Sequence, residues 1–184
     1  MVSGKITKDN FGVDFSSGNS FFLKKNPTDV HGHGTHISGI IKSVYPEVKL
    51  LSLKYYNPKG TGQQNLDATI QALKYAITQG VDIINYSGGG PEASVEELRV
   101  LKEAERKGIL VVAAAGNERS NIDDKRHAYY PASYGLKNII TVASHDDSLN
   151  IIPSSNYGYN SVDVAAPGHR IRSAIPAGSA GYMT

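Results

Sequence analysis

Cysteine is absent from this sequence of 184 residues, and charges of the two signs nearly balance. The lack of cysteine excludes disulfide bonds, thiolate nucleophiles and cysteine-ligated zinc. Nineteen basic against 17 acidic residues leave a formal net charge of +2, a field too weak to favour nucleic acid or an anionic membrane surface. Long hydrophobic runs are also missing, since no segment approaches the roughly 20 apolar residues of a membrane span. We therefore predict neither a nucleic-acid partner nor a membrane partner.

Short apolar runs that alternate with helical segments are what the sequence does contain. Apolar residues at helical spacing predict helices at about 33–44, at 66–77 with a stop at Gly80, and after Ser94, which has the spacing of a capping box with Glu97. Extended segments are predicted at residues 20–24, 49–55, 81–85, 109–113, 138–143, 162–165 and 171–174. Strands that alternate with helices predict an α/β fold with a mainly parallel sheet and helices on both faces. The length predicts a single domain.

Three histidines occur within six residues, at His31, His33 and His36, and glycines are interleaved with them. They stand where a polar loop gives way to an apolar helical segment. Loops that a rigid scaffold positions are common places for reactive side chains. We predict that His33 is a catalytic base, that His36 is buried under the helix, and that His31 is exposed.

Glycine-rich segments follow three of the predicted strands, where ligands bind in an open parallel sheet. They are Gly60-Thr61-Gly62, Ser87-Gly88-Gly89 and Gly116-Asn117. Glycines at such places leave backbone N–H and C=O groups available to pair with an extended peptide. The carboxamide of Asn117 can donate to a developing oxyanion. With His33 as base, two of the three roles of an acyl-transfer site are present.

Four segments resemble the subtilisin-like serine proteases (subtilases), in that family's order and spacing. They are HGTHISG at 33–39, INYSGG at 84–89, AAAGN at 113–117 and VAAPG at 164–168. The resemblance covers about residue 31 to the end of the chain. It implies a subtilisin-like fold of three layers, αβα, around a mainly parallel sheet. It also implies a serine endopeptidase that cleaves peptide or protein substrates through an acyl-enzyme.

The resemblance implies a role for each residue that matches a family motif. His33 would be the general base, Asn117 the oxyanion donor and Gly116 part of the wall of the main specificity pocket. The segments 60–62 and 87–89 would lie on either side of the substrate backbone. The small residues of the pocket wall predict room for a sizeable P1 side chain, with no charge placed for a basic one.

Two members of the family's triad have no match within the 184 residues. The family's aspartate lies in a D-[ST]-G turn at the end of an apolar strand, and no apolar run precedes either Asp9 or Asp14. Residues 1–15 resemble instead the segment that follows the family's aspartate strand, and Asp14 is retained only as an alternative candidate for the triad acid. The G-T-S motif of the nucleophile also has no match. We therefore predict a partial catalytic domain, residues 1–184, which lacks the aspartate strand and the nucleophile helix and is inactive alone.

The missing aspartate strand has a consequence for the sheet. In the family it lies between the strands that match 49–55 and 81–85, so each of these would show an unpaired edge, which invites pairing with another chain. We predict that the gap is filled by a rearranged segment, a complementary fragment or a second copy, with self-association as one result. Direct hydrogen bonding between the two strands would contradict this prediction.

No cofactor and no metal site is expected. Many subtilases hold calcium in an Asn-rich loop inserted after the histidine helix, but residues 42–48 pass from helix to strand without such an insertion. A rival interpretation is a zinc hydrolase, because His31, His33 and His36 resemble the H-x-H-x-D-H ligand run of metallo-β-lactamase-like enzymes, with Thr35 in place of the aspartate. A second rival is a subtilase-like domain that binds peptides without cleaving them.

Overall fold

The structure is a computed structural model that describes residues 11–17, 24–176 and 180–183. The chain divides into two compact units, of which the first comprises Met1–Gly80 and Arg172–Met183 and the second Val81–Ile171. Within the described residues the helices are α1 (His33–Val44), α2 (Gly62–Gln79) and α3 (Val95–Arg106). The strands are β1 (Gly12–Asp14), β2 (Lys24–Lys25), β3 (Ser52–Lys54), β4 (Ile83–Tyr86), β5 (Leu110–Ala114), β6 (Ile139–His145), β7 (Val164–Pro167), β8 (Ile171–Ala174) and β9 (Ala180–Met183).

The helices lie where the apolar periodicity predicted them. Helix α1 has both predicted ends, and α2 is closed by Gly80, whose φ of 65° lies in the left-handed region that favours glycine. Helix α3 begins directly after Ser94. None of the described helices combines the length and the apolar character that a bilayer crossing requires.

The strands are less well predicted than the helices. Strand β8 has its predicted bounds, whereas β3 covers only the middle of the predicted segment 49–55. Strand β1 was not predicted, because three residues are too few to show an alternating pattern. The predicted segment 20–24 lies outside the described residues, except for its last residue, which begins β2.

The N-terminal caps of α2 and α3 differ from the predicted pattern. A complete capping box opens α2, with Thr61 N–H donating to the side-chain oxygen of Gln64 (2.8 Å) and Gln64 N–H donating to the Thr61 hydroxyl (3.2 Å). At α3 the hydroxyl of Ser94 accepts from Glu97 N–H (3.2 Å), as predicted, but Ser94 N–H donates to the hydroxyl of Tyr134 (2.9 Å). The buried carboxylate of Glu97 accepts from two tyrosine hydroxyls instead. The predicted capping box is therefore only half formed.

In the first unit, β1 lies between β2 and β3, antiparallel to β2 and parallel to β3. Val13 and Phe15 are buried in one apolar cluster with Ala68 and Ala72 of α2. Burial of these side chains against one another stabilises the packing of α2 on this sheet. It also holds the two elements, β3 and α2, between which the segment 60–62 lies.

In the second unit, β4, β5, β6 and β7 follow one another in a sheet in which every neighbouring pair is parallel. Val100, Leu101 and Ala104 of α3 are fully buried, as is Val111 of β5. Because the strands are parallel, the loops after β4, β5 and β6 meet at the same edge of the sheet, where ligands bind in α/β proteins. The predicted parallel sheet is confirmed.

The strands β3 and β4 belong to different sheets. In the described part of the chain, β3 pairs only with β1, and β4 pairs only with β5. Ile83 of β4 is 59% exposed, although its side chain is apolar. Hydrogen bonding between β3 and β4 would contradict the predicted gap, and the described residues show none. It stays a prediction that a rearranged segment, a complementary fragment or a second copy fills the gap.

Candidate active site

His33 is the first residue of α1, and the turn before it sets its position. Gly32 has a φ of 98°, in the left-handed region that favours glycine. The carboxylate of Asp29 accepts hydrogen bonds from Gly32 N–H (2.8 Å), from Thr35 N–H (2.9 Å) and from the Thr35 hydroxyl (2.6 Å). Asp29 thus satisfies N–H groups that the start of a helix leaves without an intrahelical partner. This clamp fixes the first turn of α1 and, with it, the backbone of His33.

The charge of Asp29 is stabilised by these contacts. Burial raises the pKa of the Asp29 carboxyl, but the hydrogen bonds from Gly32, Thr35 and His31 outweigh burial and lower the pKa well below its ordinary value of 3.8. The carboxylate is therefore ionised at neutral and at mildly acidic pH.

Asp29→Asn is expected to destabilise the protein by about 1 kcal/mol near neutral pH, within the range for loss of a helix cap. Because the folded-state pKa is lowered, the ionised group stabilises the fold fully above its unfolded pKa of about 3.9, and this stabilisation is lost as the pH falls below that value. The difference in the free energy of unfolding between the wild type and the variant should therefore be smaller at about pH 3 than at about pH 7. Urea unfolding followed by circular dichroism measures it, with Asp147→Asn, at an exposed carboxylate, as the control. A difference that is the same at both pH values would contradict this role of the charge.

The imidazole of His33 is accessible to solvent, and other rings lie beside it. The ring centroids of His31 and His33 are 6.3 Å apart, and the ring centroid of Tyr56 is 5.5 Å from that of His31. Partial burial lowers the pKa of His33 below its ordinary 6.5, the charge of His31 lowers it further, and Asp29 opposes both. The neutral imidazole, which can accept a proton, therefore prevails at neutral pH.

His36 lies one turn further along α1 and is buried, as predicted. The hydroxyl of Ser173 in β8 donates to the carbonyl of His36 (2.7 Å). Across the described residues, no group of three or more His, Cys, Asp or Glu side chains is placed to hold a metal ion. His31, His33 and His36 therefore do not form the site that the zinc-hydrolase interpretation requires.

Asp14, the retained candidate for the triad acid, is engaged by residues of its own sheet. Its carboxylate accepts from the N–H (2.9 Å) and the hydroxyl (2.6 Å) of Ser16, and the ammonium of Lys54 lies 3.2 Å away. Burial raises the pKa of Asp14, but the bonds from Ser16 and Lys54 lower it overall. These contacts hold the carboxylate at the end of β1, the strand that runs parallel to β3.

The segment Gly60-Thr61-Gly62 forms the N-terminus of α2. Thr61 is the N-cap, its N–H is bonded to Gln64, and its carbonyl accepts from Asn65 N–H (3.0 Å). Both backbone groups of Thr61 are thus taken by the helix. The N–H of Gly60 also donates, to the carbonyl of Asn57 (3.0 Å), so any pairing of this segment with a peptide backbone falls to the remaining groups of Gly60 and Gly62.

Asn117 follows β5 in a loop that the buried residue Asn156 holds on both sides. Asn156 is 1% exposed. Its Nδ2 donates to the carbonyl of Ala115 (2.9 Å), its Oδ1 accepts from Glu118 N–H (2.9 Å), and its own N–H donates to the carbonyl of Gly116 (2.9 Å). Asn117 itself is exposed, and no hydrogen bond to its carboxamide is found among the described residues. The loop is therefore rigid while the side chain of Asn117 stays available to donate.

A cleft of about 270 Å³ opens at the carboxyl edge of the second sheet. Ser87 lines it after β4, Gly116 and Asn117 line it after β5, and Ser144 lines it in β6. Three of the predicted site residues, which come from two different strand ends, are thus brought into one cleft. His33 and the segment 60–62 belong to the first unit.

A tyrosine ring packs beside the predicted pocket wall at Gly116. A Cβ placed on Gly116 would lie 3.0 Å from Cδ2 of Tyr129, and one placed on Gly89 would lie 2.6 Å from Cε1 of the same ring. Both glycines have positive φ, 102° and 154°, which L side chains rarely adopt. The ring of Tyr129 thus packs beside Gly116 and Gly89, and the room for a sizeable P1 side chain stays a prediction.

Comparison with known proteins shows the family of this chain. The profile of the subtilase family matches residues 2–183. The intracellular serine protease of Paenibacillus polymyxa is 39% identical over 159 residues, which is 82% of this chain and 47% of that protein. Subtilisin DY of Bacillus licheniformis is 34% identical over 174 residues, which is 90% of this chain and 60% of that protein.

The fold agrees as well. A crystal structure of a lanthipeptide protease matches 97% of this chain and 57% of its own with a TM-score of 0.76 and 25% identity. The predicted α/β fold is confirmed. The chain spans 47% and 60% of the two bacterial relatives and 12% of the subtilisin-like protease 2 of Plasmodium falciparum.

Proposed function

The chain belongs to the subtilase family, and from that membership we propose that the protein is a serine endopeptidase in which His33 is the general base and Asn117 the oxyanion donor. The observation that supports this best is the loop at Asn117. Its backbone is clamped by the buried Asn156, its carboxamide is exposed, and it stands at a cleft together with Ser87 and Gly116. A preorganised donor of this kind stabilises negative charge that develops during the reaction.

The proposed reaction is peptide hydrolysis through an acyl-enzyme. His33 takes the proton of the serine hydroxyl as its oxygen attacks the scissile carbonyl carbon, and the resulting oxyanion accepts hydrogen bonds from Asn117 and a backbone N–H. The carbon–nitrogen bond then breaks, and His33 gives its proton to the leaving amine. A water molecule, deprotonated by His33, hydrolyses the ester and regenerates the serine. The segments proposed to pair with the extended substrate backbone are Ser87-Gly88-Gly89 and, in the first unit, Gly60 and Gly62.

The nucleophile and the triad acid are proposed to come from sequence that these 184 residues do not include. Two observations support this. The carboxylates of Asp14 and Asp29 are committed to a sheet contact and a helix cap. The hydroxyl of Ser87 accepts from the side chain of Asn85 (2.8 Å) and stands outside any G-x-S-x-G elbow. The 184-residue chain is accordingly proposed to be inactive alone.

Labelling with a phosphonofluoridate serine probe tests the proposal. The full-length protein should be labelled, its His33→Ala variant should be labelled far more slowly, and the 184-residue chain should not be labelled. Labelling of the full-length protein that does not depend on His33 would contradict the assigned base. If the full-length protein binds peptides and is not labelled at all, the non-catalytic peptide-binding domain is the correct interpretation.

A further inference from the structure

Tyr129 spans the distance between two segments that the proposed function places around the substrate. Its Cε1 and Cζ face Gly89, at 2.6 and 3.1 Å from a Cβ placed there, and its Cδ2 faces Gly116, at 3.0 Å. The atoms Cε1 and Cδ2 are at opposite corners of the ring. One edge of the phenol therefore contacts the substrate-binding strand, and the other edge contacts the pocket wall.

Packing and backbone hydrogen bonds fix the position of Tyr129. Tyr129 packs on a buried cluster that includes Ala115 and Ala132. Its N–H donates to the hydroxyl of Ser133 (3.0 Å), and its carbonyl accepts from Ser133 N–H (2.8 Å). Protein interiors are close-packed, and inserting an extra side chain forces its neighbours away from preferred rotamers. A large substrate side chain could enter between Gly89 and Gly116 only by displacing the ring.

We propose that Tyr129 determines specificity by filling the P1 pocket, so that the protein cleaves after small residues such as glycine and alanine. The inference rests on the proposed function, because it takes Gly116 and the segment 87–89 as the walls of that pocket. The nearest carboxylate, that of Glu118, is bonded to Nδ2 of Asn156 (2.6 Å). Glu118 is exposed and one hydrogen bond does not use up its carboxylate, so Arg is the P1 residue that competes with a small one in the test.

The test uses the full-length protein and peptides that differ only at P1, with Gly, Ala, Leu, Phe or Arg. For the wild type, kcat/KM should be at least about tenfold higher for Ala than for Phe, since a single misfit group in a pocket changes this ratio by about 10–200-fold. Tyr129→Gly should raise kcat/KM for Phe relative to Ala by a similar factor. Tyr129→Phe, which keeps the ring, should retain the wild-type ratio. The matched control is Tyr159→Gly, since Tyr159 is a 96% exposed tyrosine of the same unit.

Two results would overturn the proposed role of Tyr129, and a third would overturn the proposed function together with it. A wild-type preference for Phe, Leu or Arg overturns it even if Tyr129→Gly does not fold, because that preference is measured on the wild type alone. An unchanged Phe-to-Ala ratio in a folded Tyr129→Gly variant also overturns it. If the protein cleaves none of the peptides and the serine probe does not label it, the proposed function fails, and this inference fails with it.

Discussion

Replacing His33 with alanine in the full-length protein is expected to lower kcat by about 10⁶-fold, the scale of loss when the histidine of such a triad is removed. Without the imidazole nothing takes the proton of the serine as its oxygen attacks, and nothing returns a proton to the leaving amine. KM should change little, because the segments proposed to bind the substrate backbone do not include His33. The stability should also change little, since the first turn of α1 is held by Asp29 and not by the imidazole.

Steady-state hydrolysis of a peptide substrate measures this loss. The control is His127→Ala, which removes an exposed imidazole outside every proposed site and should leave kcat as it is. Thermal unfolding shows whether His33→Ala remains folded. A folded His33→Ala protein whose kcat stays within about tenfold of the wild type would show that another group is the base.

Asn117→Ala is expected to lower kcat by about 10²–10³-fold, the magnitude found for the equivalent change in a subtilisin. The carboxamide has no hydrogen bond to the described residues, while Gly116 and Glu118 on either side are both bonded to Asn156. Truncating the side chain should therefore remove the oxyanion donor and leave the loop in place. Donation to the oxyanion exists only in the transition state, so the loss should appear in kcat and not in KM.

The measurement is again steady-state kinetics, with thermal unfolding alongside. Asn150→Ala, at an exposed amide beyond the cleft lining, serves as the matched control. If Asn117→Ala instead raises KM or lowers the unfolding temperature while kcat is retained, Asn117 is a substrate-contact or structural residue. The oxyanion assignment would then be withdrawn.

The parts of the fold that the sequence predicted well are those with local signals. Helix α1 runs from His33 to Val44 as predicted, because its apolar spacing and the loop before it lie within a dozen residues. Gly80 closes α2 for a similarly local reason. The strand β1 escaped prediction because Gly12–Asp14 carries too little pattern, and its place in a sheet comes only from β3, many residues later.

The errors share a different cause, which is competition from distant residues. Ser94 and Glu97 have the spacing of a capping box, but Glu97 bonds to Tyr86 and Tyr134 and Ser94 N–H bonds to Tyr134. Once buried, a carboxylate is stabilised more by two hydroxyl donors than by a solvent-exposed cap. No pattern near Ser94 could have indicated these partners.

The residues of the candidate site also differ in whether a local sequence pattern indicates them. His33, Asn117 and the glycine segments could be predicted because each stands in a short motif that indicates its chemistry. Asn156 and Tyr129 were missed, because neither belongs to a motif that indicates chemistry. Their importance comes from what they touch, namely the loop at Asn117 and the space beside Gly116.

By itself the sequence determined the family, the helices and the residues able to act as base and oxyanion donor, since residue type and local spacing suffice for these. Only the tertiary structure decided that Asn156 clamps the loop at Asn117, that the ring of Tyr129 packs beside Gly116, and that Asp14 and Asp29 are already engaged. The physical reason is that hydrogen bonds and close packing depend on which groups the folded chain brings together, and that depends on every contact at once.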